Sequence, residues 1–60
     1  MNEIDFEGNL QEIIYSGAEA EGLELDIMTF ESAGLLTANR GLVIRLEDGS
    51  EFQLSIVRSK

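Results

Sequence analysis

Two alternating apolar runs flank the tripeptide Glu47-Asp48-Gly49, and this pattern limits the fold more than any other in the chain. Leu42-Val43-Ile44-Arg45-Leu46 lies on one side and Ser50-Glu51-Phe52-Gln53-Leu54-Ser55-Ile56-Val57 on the other, the pattern of a β-hairpin. Leu42, Ile44 and Leu46 share one face, and Phe52, Leu54 and Ile56 share another. A two-residue loop at Asp48-Gly49 would set Ile44 opposite Gln53 and split the apolar set between opposite faces. A three-residue loop, with Gly49 in the left-handed position of a G1 bulge, reunites them. That register pairs Ile44 with Phe52 and Leu42 with Leu54, and it sets Arg45 opposite Glu51 on the outer side.

Upstream of the hairpin, Gly22-Leu23-Glu24-Leu25-Asp26-Ile27 alternates as a strand, with Leu23, Leu25 and Ile27 inward. The phase changes at Met28 and Phe30, which implies a bulge near Ile27-Met28 or the end of the strand. Pairing with Leu42–Leu46 gives three antiparallel strands. Asn9 to Tyr15 reads as a short helix: Asn9 is an N-cap, Glu12 stands three residues on, and Leu10, Ile13 and Ile14 share a face. Gly17 ends or weakens it, and Ala18 to Glu21 are able to extend it. Ile4 and Phe6 alternate with Glu3, Asp5 and Glu7 as in a short edge strand. Ser32 to Gly41 fits either a second short helix, capped by Ser32 and ended by Gly41, or a loop. The expected fold is α+β: a small antiparallel sheet of three to four strands, ending in the hairpin and packed with one or two short α-helices.

Residues 1–60 make a single domain near the lower size limit, where folding buries only about 60% of the unfolded surface. With no Cys and no His, neither disulfides nor the usual zinc sites staple it. A hydrophobic content of 43% and a mean hydropathy of -0.01 fit a globular chain. Acids in the first residues and only short apolar runs argue against a signal peptide or a membrane span, so a cytoplasmic location is expected.

Charge is divided sharply along the chain. Glu3, Asp5, Glu7, Glu12, Glu19, Glu21, Glu24, Asp26 and Glu31 precede the first basic residue, Arg40, so residues 1–39 carry -9. The remainder holds four bases and three acids, +1, and the whole chain is at -8 with a pI near 4.1. Phosphate-bearing partners would be repelled, so neither direct nucleic-acid binding nor membrane binding is expected.

Enzymatic chemistry has little to use. Without His or Cys the common nucleophile–base pairs are missing, and a carboxylate pair of glycosidase type needs a deep groove. No catalytic residue, metal ligand or cofactor is assigned. Glu47-Asp48-Gly49-Ser50-Glu51 lacks the order of a calcium-binding EF-hand loop and reads as a turn with charged flanks. The nine N-terminal acids are instead the candidate partner-binding set. On strand faces, Glu3, Asp5 and Glu7, and likewise Glu24 and Asp26, would project carboxylates about 6.6 Å apart, a row comparable to a phosphate backbone.

In short length, low pI and the acid set from Glu3 to Glu31, the chain resembles the phage-encoded DNA-mimic anti-CRISPR proteins. That resemblance spans the chain in character and includes no motif. It implies a viral inhibitor acting in the host cytoplasm as a monomer rather than a dimer, blocking the DNA-binding groove of a CRISPR effector of Cascade type or of another DNA-binding protein. Its basic C-terminal half departs from a uniformly acidic mimic. A different class of function is a small homo-oligomeric or adaptor protein, using a strand edge or an apolar face such as Met28, Phe30, Leu35 and Leu36. A third is an antitoxin-like neutraliser of a basic toxin, with the same electrostatics as the inhibitor.

Overall fold

The computed structural model describes residues 1–35 and 38–60. Its elements are helix α1 (Glu3–Glu21) and strands β1 (Leu25–Thr29), β2 (Arg40–Leu46) and β3 (Glu51–Ile56). The strands form one antiparallel sheet in the order β1-β2-β3, against which α1 packs, chiefly over β1 and β2. This is the α+β architecture read from the sequence, with three strands and one helix among the described residues.

The hairpin has the expected register. Ile44 pairs with Phe52, Leu42 with Leu54, and Arg45 with Glu51, whose side chains meet at 2.8 Å. Gly49 adopts φ 91°, and its N–H donates to the Leu46 carbonyl at 3.0 Å. Glycine takes that left-handed conformation without the steric cost a Cβ would bring. Asp48 Oδ1 accepts the Ser50 N–H at 2.9 Å, and hydrogen bonding from the Ser50 side chain and then its backbone holds the Asp48 carboxyl below the usual aspartate range. A carboxyl lowered on folding stabilises the folded state above its unfolded value, about 3.9, and that contribution fades as pH falls through the lower folded-state value. Thermal midpoints recorded from neutral pH downward are therefore expected to fall more gently below about pH 4 in Asp48→Asn than in the wild type.

The N-terminal region departs from expectation. Glu3, Asp5 and Glu7 lie not on an edge strand but in the opening turns of a 19-residue helix. Asn2, not Asn9, is its N-cap: Asn2 Oδ1 accepts the Asp5 N–H at 2.8 Å. Gly22, at φ 71°, ends the helix, with the Leu23 N–H on the Ala18 carbonyl and the Gly22 N–H on Glu19, a Schellman closure. Between these caps α1 runs through Gly8 and Gly17, each weakening a helix by about 1 kcal/mol relative to Ala. Contact with the sheet offsets that cost. Glu7, Leu10, Gln11, Ile14 and Ala18 make the half-buried to buried stripe, whereas Ile13 points to solvent.

Strand β1 starts at Leu25, later than expected, and leaves Leu23 exposed in the connection. Its register with β2 is unbroken from Leu25↔Leu46 to Thr29↔Leu42, so there is no bulge at Ile27-Met28. The phase change has another cause: the second face of the sheet is also apolar at this end. Met28 lies opposite Val43 there, and both Val43 and Phe30 are buried. Gly41 admits Phe30, since a Cβ at Gly41 would run into the Phe30 ring and the Leu54 carbonyl. Of the helix or loop expected over Ser32–Gly41, the described residues show a turn at residues 31–34 and no helix. Thr29 Oγ1 accepts the Ser32 N–H at 3.0 Å, and Gly34 closes the turn at φ 76°. Leu36 lies outside the described residues.

Candidate protein-binding surface

Helical geometry sorts the N-terminal acids into groups with different surroundings. Asp5, Glu12 and Glu19 are seven residues apart, nearly two full turns each, so they align on one side of α1, away from the buried stripe. All three are exposed, and none has a salt-bridge partner among the described residues. The rise between successive members is about 10.5 Å. Glu3 and Glu21 occupy the two ends of the helix, and Glu24 lies in the exposed connection to β1.

Two of the nine acids form ion pairs within the fold. Glu7 is only 3% exposed, and its carboxylate takes both Nε and Nη2 of Arg40, at 3.2 and 3.0 Å. Glu31 reaches Nη1 of the same guanidinium at 3.3 Å. These contacts, the Glu7 hydrogen bond foremost, raise the Arg40 pKa and keep the group charged. Asp26 stands opposite Arg45 in the ladder, on the sheet face away from α1. The nine acids therefore do not converge on one surface. Glu7 belongs to the core, and Glu24 and Asp26 do not extend the helical row.

The acid row ends in one feature that composition does not reveal. The last turn of α1 carries Glu19 and Glu21 and no basic residue. Acids at a helix C-terminus oppose the macrodipole, at roughly 0.3–1 kcal/mol each when exposed. Lysine at those positions would be more stabilising and equally soluble. The row thus continues into a place where local helix energetics disfavour it. Among the described residues no group of three or more acids is close enough to hold a metal ion.

The exposed apolar surface lies mainly elsewhere than on the face expected around Met28, Phe30 and Leu35, of which Phe30 is buried. Phe6, Ile13, Phe52 and Leu54 are all partly to largely exposed. A groove between α1 and β3 is lined by Phe6, Leu10, Leu54 and Ile56 and runs out along Val57 and Arg58. Phe6 is detectable only once its stretch is read as helix, where it flanks Leu10 and Ile13. Comparison with protein-family models, with curated proteins and with solved structures yields no match.

Proposed function

We propose that this protein is a small acidic inhibitor that presents the outer side of α1 to a basic, DNA-binding surface of another protein, with a CRISPR effector complex of Cascade type as the leading partner. The observation that carries this reading is the row Asp5, Glu12, Glu19, exposed along the outer side of α1 and free of salt bridges among the described residues. Its spacing of about 10.5 Å is close to three base-pair steps of a duplex strand, about 10.2 Å. Glu3 and Glu21 add negative charge at the two ends of α1, and Glu24 in the connection beyond it, without continuing the row. A rigid helix holds these carboxylates in place before binding, so Lys and Arg side chains of the partner meet a preformed row. Such an interaction is steered by charge and weakens with salt.

Competition between this protein and a labelled target duplex for purified effector complexes tests the reading. The triple variant Asp5→Lys, Glu12→Lys, Glu19→Lys is expected to lose affinity by about 100-fold or more, since several close charge pairs become repulsive. Glu47→Gln with Glu51→Gln, on the hairpin, should bind within about threefold of wild type, as expected for charges outside the contact. Equal losses in the two variants, or binding that resists high salt, would remove the located acid row from the mechanism. Glu7 is left out of the test because its carboxylate is held by Arg40.

A further inference from the structure

The two outer edges of the sheet are finished differently. On β1 the outward groups are those of Leu25, Ile27 and Thr29, because the Phe30 N–H to Gly41 carbonyl bond fixes the alternation of the ladder. The chain covers part of this edge itself. The Ile27 N–H donates to Tyr15 Oη at 3.1 Å, and the Thr29 carbonyl accepts the Ala33 N–H at 2.9 Å. On β3 the Leu46 N–H to Ser50 carbonyl bond makes Ile44–Phe52, Leu42–Leu54 and Arg40–Ile56 the hydrogen-bonded pairs. Glu51, Gln53 and Ser55 therefore direct their N–H and C=O groups outward, on the side where no other strand pairs with β3 among the described residues. This edge has no proline, no bulge and no lysine within it, which are the usual devices against pairing.

We infer that β3 is the interface of a homodimer, pairing antiparallel with β3 of a second copy across a two-fold axis to give a six-stranded sheet. The register must keep Phe52, Leu54 and Ile56 on one face, because a one-residue slip would turn them over. With Leu54 opposite the second copy's Leu54, Phe52 lies opposite its Ile56, and the exposed rings and branched chains cover one another. Once the tail of each copy, where Arg58 Nε donates to the Lys60 carbonyl at 2.6 Å, straightens to continue β3 beyond Ile56, the same register carries it past the hairpin turn of the other. Arg58 and Lys60 then approach the second copy's Glu47 and Asp48, and the symmetry repeats the contact. Two positive charges meeting two negative ones at both ends make the edge complementary to itself, as an isologous interface requires.

This complementarity selects a second copy over an unrelated strand. The charge layout is compatible with this: the -9 of residues 1–39 is carried by α1, the connection to β1, β1 and the turn after it, and β3 lies at the opposite edge of the sheet from β1. Association also supplies a stabilisation that a 60-residue chain without cysteines cannot draw from disulfides. The dimer goes beyond the acidic-surface reading and stands without it, since none of Asp5, Glu12 and Glu19 lies on β3.

Sedimentation equilibrium of the full chain across a dilution series tests this, the expected mass being twice the 6.6 kDa of one chain. Gln53→Pro removes an N–H that makes no bond to β2, so it should leave the circular dichroism of the fold intact and abolish the dimer. Arg58→Glu with Lys60→Glu, and separately Glu47→Lys with Asp48→Lys, should each be monomeric alone. Mixed in equal amounts, those two double variants should form a heterodimer, because each tail again meets a turn of opposite charge. A wild type that stays at one-chain mass at every concentration overturns the proposal. A dimer that persists in Gln53→Pro, or double variants that stay monomeric when mixed, overturns it equally. The Asp5, Glu12, Glu19 triple variant should remain dimeric, which separates this result from the inhibitor test.

Discussion

Replacing Gly41 by alanine is expected to cost this protein most of its stability, about 3 kcal/mol or more. Gly41 lies in the central strand, and its added methyl would meet the Phe30 ring on one side and the Leu54 carbonyl on the other. Overpacking of a well-packed core costs about 1–3 kcal/mol when side chains alone can yield. Here one of the two obstacles is backbone of β3, which cannot move without disturbing the β2–β3 ladder. A domain of this length has a total stability of only about 3–9 kcal/mol, so the loss is a large share of it. Urea denaturation monitored by circular dichroism measures it directly. Adding Phe30→Ala to Gly41→Ala relieves the ring contact and not the carbonyl, so the double variant should not regain wild-type stability. Gly8→Ala is the contrasting control: apart from its chain neighbours and the backbone of its own helix, no atom lies within 4 Å of the added Cβ, and the position is helical. It should stabilise the protein by about 0.5–1 kcal/mol. If Gly41→Ala unfolds at the wild-type denaturant midpoint, the close approach of Phe30 to β2 does not hold the sheet face.

Gly41 also illustrates what the sequence conveys and what it withholds. The hairpin was legible down to its register because period-two alternation and the demand of Gly49 for positive φ are local, and both select the same loop. Helix α1 was not, for three local reasons. Ile4 and Phe6 alternate with acids as in a strand, Gly8 and Gly17 interrupt the helical pattern, and Asn9 competes with Asn2 as a cap. What decides the matter lies far away in sequence: the stripe from Glu7 to Ala18 packs on the sheet, and the Glu7–Arg40 contact spans 33 residues. One signal for that contact was present. Arg40 shares the strand parity of Leu42, Ile44 and Leu46, so a charged group was bound to face α1 and to need a carboxylate there. Counting Glu7 with the surface acids was the consequence of reading its segment as an edge strand. Of the candidate set, the exposed helical row could be found only after the helix itself, since Asp5, Glu12 and Glu19 have no relation in a strand.

Arg40→Ala should destabilise the protein more than Glu7→Ala, although each removes one side of the same pair. The asymmetry follows from burial. The Glu7 side chain is 4% exposed and that of Arg40 is 32% exposed. Without Arg40 the Glu7 carboxylate is left inside the protein with no cation, and stranding a buried charge is far more costly than losing the pair's attraction. Glu31 would also lose its partner, but it is solvated and loses little. Without Glu7 the guanidinium keeps Glu31 and its contact with water, so the penalty is mainly the loss of two hydrogen bonds. Thermal unfolding is expected to fall by about 10 °C or more in Arg40→Ala and by roughly half as much in Glu7→Ala, on the scale of 4–8 °C per kcal/mol for a domain this small. Removing both charges while keeping volume, as Glu7→Leu with Arg40→Met, should recover most of the loss, because a buried ion pair and a well-packed apolar pair are often close in energy. The comparison depends on no partner and no function. Equal effects of the two single substitutions would mean that water reaches Glu7, and that this acid belongs with the solvated row on α1 after all.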